Sequence, residues 1–229
     1  MKKTIFSLMM PLMLGALAAC GDSSEEFGEP KNQGTRAEDI IPANYYWSGG
    51  KQYAITLSDT ESFILFHGSD KEIVLSKLEN FGLTREQIKI TPYGILPNSF
   101  SIPNDNLYQF SDALKATISL NYEKAKEIDE LIYAGPCILR LSEHLSNVPM
   151  TNLIYVFCNN TIDLEQIAQE YNVLILGKLH GLAESVYLIA CTNSSKGHTL
   201  EIANAFFESG LFKGAEPSFI AAQVAGGVE

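Results

Sequence analysis

The chain of 229 residues has few basic side chains: 16 lysines and arginines stand against 27 aspartates and glutamates, a formal net charge of −11. No cluster of Lys and Arg is visible in it. A surface that binds nucleic acid needs such a cluster to contact the phosphates. We therefore expect no nucleic-acid partner.

Cysteine is also scarce, with four residues in the whole chain. None of them has the CxxC or Cys/His spacing of a zinc site, so the sequence predicts no metal centre. Cys137, Cys158 and Cys191 each lie inside or at the end of an apolar run. This position predicts buried thiols that act as small hydrophobic side chains.

Four common signatures of hydrolases and nucleotide-binding proteins are missing: Gly-x-Ser-x-Gly, His-Glu-x-x-His, the P-loop and Gly-x-Gly-x-x-Gly. Ser142 and His144 would share one face of a strand, but no acid or oxyanion site can be named to complete a nucleophile–base pair. Glu123 and Glu127 stand among lysines, as on a solvated helix face. The sequence predicts a protein that is not an enzyme, with no catalytic residue and no cofactor.

The N-terminus has the parts of a secretory signal. Lys2 and Lys3 precede an apolar stretch over residues 5–16, which is shorter than the ~20 residues of a membrane span. The following Leu17-Ala18-Ala19-Cys20-Gly21 resembles the lipobox of bacterial lipoproteins. This resemblance implies a signal peptide over residues 1–19 and acylation of Cys20; an ordinary secretory signal with a coincidental cysteine is the alternative.

Residues 20–40 are rich in Gly, Pro and acidic residues. Such a composition cannot offset the entropy cost of ordering, so we expect a lipidated, flexible tether here. The acidic cluster over residues 22–26 is similar to the signal with which certain Gram-negative bacteria place lipoproteins on the outer face of the outer membrane. The expected location is the outer membrane or cell surface, with the membrane contacted through the lipid.

The C-terminal segment, residues 141–229, has a clear succession of elements. Its patterns predict a strand over 153–157, a helix with Leu164, Ile167, Ala168 and Tyr171 on one face, strands over 173–176 and 186–189, a helix over 200–209 that ends at Gly210, and a strand over 213–220. This β-α-β-β-α-β order predicts an α+β, ferredoxin-like unit. In this topology Cys158 and Cys191 would lie at opposite ends of neighbouring strands, too far apart for a disulfide.

Residues 41–140 repeat this order more weakly. We expect a hairpin over 45–57, a strand over 62–66, a helix over 73–81 ended by Gly82, a hairpin of 88–90 with 99–102, and a helix whose stripe is Leu107, Phe110, Leu114 and Ile118. The offset of about 90 residues predicts two related α+β units in tandem.

Residues 202–219 read IANAFFESGLFKGAEPSF. This stretch resembles the end of the N-terminal prodomain of subtilisin-like serine proteases, where a helix of this form leads to "AEP-x-F" before the catalytic domain. The similarity extends back over residues 152–190 and, more faintly, to Tyr45-Tyr46-Trp47-Ser48-Gly49-Gly50. The fold of the family's prodomain is also ferredoxin-like.

The resemblance implies a role for the C-terminal tail. In the family the prodomain sheet packs on the enzyme and the tail lies in the substrate cleft, so the prodomain serves as folding template and inhibitor. Here that tail is residues 219–229, and its protease-binding residues would be Phe219, Ile220, Ala221, Ala222, Gln223 and Val224. The alternative is that any frayed C-terminus rich in Ala and Gly looks like this.

No segment of the chain resembles the catalytic segments of subtilases, so the sequence predicts a prodomain without its protease. The leading hypothesis is a lipoprotein that binds a subtilisin-like protease in trans as inhibitor or folding chaperone. One alternative is a cell-surface adhesin or an assembly or ligand-binding module. Another is a truncated relative of a protease precursor with no partner role.

Overall fold

The computed structural model describes residues 45–142, 145–158, 162–182 and 185–220, and the side chains among them except those of 140–142 and 145–147. The predicted signal peptide, Cys20 and the tether lie outside the described residues, as do His144 and the tail residues Ala221, Ala222, Gln223 and Val224. Among the described residues, no helix has the length and hydropathy to cross a membrane.

The described residues form an α+β fold in which strands predominate. In chain order the elements are β1 (Tyr45–Ser48), β2 (Lys51–Ala54), β3 (Thr56–His67), α1 (Lys71–Asn80), β4 (Thr91–Pro92), β5 (Phe100–Pro103), β6 (Ala113–Ile118), α2 (Tyr122–Ala125), β7 (Leu131–Ser142), β8 (Leu145–Cys158), α3 (Leu164–Tyr171), β9 (Leu174–Leu179), β10 (Ser185–Ala190), α4 (Thr199–Glu208) and β11 (Phe212–Phe219). Short 3-10 turns cover 68–70, 85–87, 97–99 and 105–110. The α+β fold class is therefore confirmed.

One antiparallel sheet contains β3 to β11. Its strand order is β4-β6-β3-β7-β8-β10-β9-β5, and β11 pairs with β8 outside this sequence of neighbours. The 14-residue strand β8 can take three partners because β7 pairs with residues 145–149, β10 with residues 153–158 and β11 with residues 150–158. The hairpin of β1 and β2 is a separate two-stranded ribbon.

The same strand order occurs twice in this sheet. The first group has the spatial order β4-β6-β3-β7, so its strands lie side by side as the second, third, first and fourth of the group in chain order. In the second group, β8, β9, β10 and β11 have the same arrangement. In each group one helix follows the first strand and another follows the third.

The sheet is curled, because its two end strands are consecutive in the chain. Only residues 93–99 separate β4, which pairs with β6 at one end of the strand order, from β5, which pairs with β9 at the other. Seven residues reach at most about 25 Å. The short connection therefore holds the two edges of the sheet close to each other.

Alternate side chains of β3 show what covers the two faces of the sheet. Ile64 and Phe66 belong to one buried cluster, with Val74, Leu75 and Leu78 of α1. Phe63 and Leu65 belong to another, with Tyr93, Phe100, Leu107 and Phe110, and with Leu176, Val186 and Leu188 of β9 and β10. Since successive residues of a strand point to opposite faces, α1 covers the outer face and the segment Tyr93–Phe110 fills the inner one.

The elements predicted for the C-terminal segment are present as β8, α3, β9, β10, α4 and β11, but β8 begins at Leu145, well before the strand predicted over 153–157. The predicted helical face of α3 is also the side that is turned inward, since Ala168 and Tyr171 are buried. Gly210 follows α4 with a φ of 69°, the left-handed conformation that ends many helices.

Among the elements predicted for residues 41–140, the second hairpin and the second helix are wrong. Residues 88–90 and 99–102 do not form a hairpin with each other, because β4 pairs with β6 and β5 pairs with β9. The stripe of Leu107, Phe110, Leu114 and Ile118 is not one helix: a 3-10 turn ends at Phe110, and β6 follows and pairs with β3. The helical spacing is coincidental, and long-range pairing with β3 determines the structure.

The three cysteines in the described residues are free and buried, as predicted. Cys158 lies opposite Ser185 at one end of β10, and the N–H of Cys191 donates to the carbonyl of Asn152 at the other end, over 2.7 Å. The two thiols are therefore at opposite ends of neighbouring strands. Burial raises the pKa of Cys158 to about 11 and the pKa values of Cys137 and Cys191 to about 12.

Candidate functional site

The residues that carry the family resemblance come from both ends of the described chain, and they meet at one place. The β1–β2 hairpin lies on α4 and β11. Trp47 of the hairpin stacks on Phe207 of α4, with ring centroids 4.7 Å apart and an interplanar angle of 25°. The side-chain amide of Asn204 donates to the carbonyl of Tyr45 over 2.7 Å. We call this contact region the clasp: residues 45–54 together with Asn204, Phe207, Glu208, Glu216 and Phe219.

Glu208 is the polar centre of the clasp. Its Oε1 accepts a hydrogen bond from the Tyr45 hydroxyl over 2.6 Å and another from Trp47 Nε1 over 3.0 Å. The hydrogen bond from the Tyr45 hydroxyl to the Glu208 carboxylate, together with partial burial, raises the pKa of Tyr45 to about 12. The carboxylate therefore favours a protonated tyrosine and fixes two aromatic side chains of the hairpin.

Glu216 of β11 holds the turn of the hairpin in the same way. Its Oε1 accepts from the Ser48 hydroxyl over 3.0 Å and from the backbone N–H of Gly49 over 3.1 Å. Gly49 and Gly50 have φ values of 54° and 75°, as a tight two-residue hairpin turn requires. The turn formed by the two glycines thus directs the backbone N–H of Gly49 toward the Glu216 carboxylate.

Phe219 lies at the last contact of the clasp. The ring of Tyr46 meets the ring of Phe219 edge to face, with centroids 5.4 Å apart, and stacks on Tyr53 at 5.3 Å. Phe219 pairs with Met150 of β8, and the N–H of Ile220 donates to the carbonyl of Pro149 over 2.9 Å. Phe219 and Ile220, the first two predicted tail residues, are therefore attached to the sheet.

A groove of about 780 Å³ lies elsewhere on the molecule, between the start of α3 and the strands β5, β9 and β10. Two carboxylates line it, Asp163 and Glu165. Its other lining residues are of both kinds: Asn104 and Ser185 are polar, and Ile102, Ile162, Leu164, Ile175 and Tyr187 are apolar or aromatic. No sequence pattern indicates this groove, because its walls come from segments that are distant in the chain.

His198 lies just before α4. Its side chain is only 2% exposed, and burial lowers its pKa to about 3. Its Nε2 is 3.6 Å from Glu201 Oε1, and the ring meets Tyr122 edge to face. In the described residues no hydrogen-bond partner is found for its Nδ1. This neutral imidazole belongs to a buried contact between α2 and α4.

Groups of His, Cys, Asp and Glu that could hold a metal ion are not found among the described residues. Next to His198 two hydrogen bonds join buried groups: the Tyr133 hydroxyl is 2.8 Å from Thr199 Oγ1, which donates to the carbonyl of Thr151 over 2.8 Å. This arrangement joins β7, β8 and α4. It is suited to holding elements together.

No protein-family model, curated protein or solved structure matches this chain. The functional interpretation thus depends on the motif and on its geometry. The sequence pointed to the tail and to the similarity of Tyr45–Gly50, but it did not predict that Glu208 and Glu216 would bind the hairpin. The sequence signal that could have indicated this contact is an aromatic hairpin near the N-terminus together with two glutamates within the C-terminal motif.

Proposed function

We propose that this chain is a lipid-anchored protein that binds a subtilisin-like serine protease in trans, as inhibitor or folding chaperone, and that it is not itself an enzyme. The binding segment is the tail from Phe219 to Val224. One observation carries the proposal: the residues of the prodomain-like motif converge on Phe219, where Tyr46 and β8 hold the start of that tail. A tail attached at its base can enter a cleft as an extended strand.

The arrangement of the C-terminal strands supports the resemblance. The neighbouring strands β11, β8, β10 and β9, with α3 and α4 in the connections, support a ferredoxin-like unit. The N-terminal group has the same order, which supports a second, related unit before it. We accordingly assign residues 41–140 to the first unit and 141–229 to the second.

The inner face of the curled sheet limits how a protease could be bound. Tyr93, Phe100, Leu107 and Phe110 occupy that face together with the side chains of β9 and β10. A protease could not pack on it without displacing this core. In our proposal the tail and the surface around the clasp therefore make the contact, which differs from the broad sheet contact of the family.

The N-terminal sequence supports anchoring at the outer membrane or cell surface. Tyr45, where the clasp begins, follows Cys20 by 25 residues. At ~3.4 Å per residue, an extended segment of this length reaches on the order of 85 Å. Metabolic labelling with a fatty acid tests the anchor: the wild-type chain should incorporate label and Cys20→Ala should not. Equal labelling of both proteins would overturn it.

A second candidate function is a ligand-binding or assembly module at the cell surface. The groove of about 780 Å³ is the observation that favours it, since its volume lies in the range of sites for small ligands. This function would not need the tail.

Inhibition of peptide hydrolysis separates the two candidates. Residues 20–229 with Cys20→Ser would be titrated against a subtilase from the same organism, beside a chain that ends at Ser218. We expect saturable inhibition by the first protein and none by the second. Absence of both inhibition and complex formation at high micromolar concentration would reject protease binding and leave the ligand-binding module.

A further inference from the structure

The β1–β2 hairpin is held by side chains rather than by the main sheet. It forms its own two-stranded ribbon, and the residues of β2 are exposed while those of β1 are half-buried against α4 and β11. An isolated two-stranded hairpin is marginally stable in water. Its position on the protein therefore depends on the aromatic and carboxylate contacts of the clasp.

The pairing of β11 with β8 is irregular near its end, as it is at its beginning. The ladder between β11 and β8 shifts register between Pro217, opposite Ile154, and Phe219, opposite Met150. Within this irregularity the Thr151 hydroxyl donates a hydrogen bond to the carbonyl of Ser218 over 3.2 Å. After this irregularity, Phe219 pairs with Met150 and contacts the ring of Tyr46.

The ring of Tyr46 is itself held in place. On one side it stacks on Tyr53 at 5.3 Å, and its neighbours Tyr45 and Trp47 are tied to Glu208. An aromatic edge-to-face pair contributes beyond the apolar area that it buries. A preorganised hairpin thus presents a fixed ring to Phe219.

We propose that the N-terminal hairpin positions the start of the C-terminal tail, with Tyr46 as the positioning residue that fixes Phe219 at the end of β11. The expected effect on protease binding rests on the proposed function: a tail whose base is fixed loses less entropy when it enters a protease cleft.

Tyr46→Ala is the decisive variant, Tyr46→Phe its conservative partner, and Tyr108→Ala the matched control. Tyr108 is 59% exposed in the 105–110 turn, outside the clasp. Amide hydrogen exchange of Phe219 and Ile220, measured in residues 20–229 with Cys20→Ser, needs no protease. We expect exchange at least tenfold faster in Tyr46→Ala and unchanged in the other two. The inhibition constant should rise about five- to twentyfold in Tyr46→Ala alone.

The two measurements distinguish the failures. Unchanged exchange in Tyr46→Ala would overturn the positioning role whatever the protease result. Faster exchange with an unaltered inhibition constant would overturn its consequence for binding. If the wild-type chain inhibits no subtilase, the proposed function fails, and the exchange rates of Tyr46→Ala and Tyr46→Phe alone support or reject the coupling of hairpin and tail.

Discussion

Trp47 and Phe207 stack on each other although 160 positions separate them in the chain, and their ring centroids are 4.7 Å apart. Trp47 is the single tryptophan of the protein. Its indole N–H also donates to Glu208, so one side chain joins the N-terminal hairpin to α4 by stacking and by a hydrogen bond. Tryptophan emission therefore reports on the state of the clasp without any label.

Trp47→Ala should destabilise the protein. The substitution removes the stacking on Phe207 and leaves Glu208 with one donor fewer. For a half-buried aromatic residue we expect a loss of about 2 kcal/mol in the free energy of unfolding. Urea unfolding followed by circular dichroism measures it, with Tyr108→Ala as the control that should change it by less than about 0.5 kcal/mol. Equal stabilities of Trp47→Ala and wild type would show that the clasp is not a stabilising contact.

The bond between Tyr45 and Glu208 predicts a late tyrosine titration. The folded-state pKa of Tyr45 is raised to about 12 from the ordinary value of 10.0. A group whose pKa is raised by folding stabilises the fold below its unfolded pKa, and this contribution is lost as the pH rises from 10 to 12. Glu208→Gln should shift this titration toward the ordinary value.

Ultraviolet difference spectra near the tyrosinate band measure the titration, with Tyr45→Phe identifying the signal. If Glu208→Gln leaves the Tyr45 titration where it is in the wild type, the carboxylate does not control the phenol. Because Tyr45 is only half-buried, screening by solvent keeps the contribution of this bond to stability small.

The elements that the sequence predicted correctly are those with clear local patterns. β9, β10, α3 and α4 show regular periodicities, and β9 and β10 pair with each other across a short connection. β4 and β5 have only two and four residues, and both pair with distant strands. The helical spacing of Leu107, Phe110, Leu114 and Ile118 is compatible with a turn and a strand once β3 offers a neighbour.

The clasp was only partly predictable for the same reason. The motif in residues 202–219 and the aromatic residues 45–47 were visible in the sequence, but no local pattern says that Tyr45 bonds to Glu208, 163 positions away. Two acceptors on α4 and β11 look like ordinary surface carboxylates until the hairpin is placed on them. Long-range contacts of this kind follow from the topology.

Burial of His198 predicts a loss of stability in mild acid. Its folded-state pKa is lowered to about 3, whereas the ordinary value is 6.5. A base with a depressed pKa leaves the fold unaffected above its unfolded pKa, and stability is lost as the pH falls from 6.5 toward 3. The full effect over this window is a few kcal/mol.

Two ionisable side chains, Lys126 and Glu201, influence the environment of the His198 imidazole. Lys126 disfavours the imidazolium, while Glu201 lies 3.6 Å away and has its own pKa raised by burial. His198→Gln isolates the imidazole because Glu201 titrates in both proteins. When the pH is lowered from 7.5 to 5.0, the urea concentration at the unfolding midpoint should decrease in the wild type and change less in His198→Gln. The same pH dependence in both proteins would assign the acid sensitivity to carboxyl groups.

Gly177 should be needed for closing the curled sheet at β5. Its φ is 145°, and a Cβ atom there would lie 2.3 Å from the carbonyl oxygen of Ile102 and 2.9 Å from Pro103 Cα. Gly177→Ala must therefore push β5 away from β9, besides straining the backbone. We expect about 3 kcal/mol of destabilisation. The same change would widen the groove that Gly177 and Ile102 line.

Gly181→Ala is the matched control for this prediction. Gly181 also has a positive φ, 74°, but nothing lies within 4 Å of a Cβ atom built on it. The control therefore has only the conformational cost of about 1 kcal/mol. Urea unfolding of both variants separates the two effects, since their difference measures the steric contact with β5. If both variants lose the same stability, β5 moves aside freely, and the close approach of Gly177 to Ile102 does not hold the edge of the sheet in place.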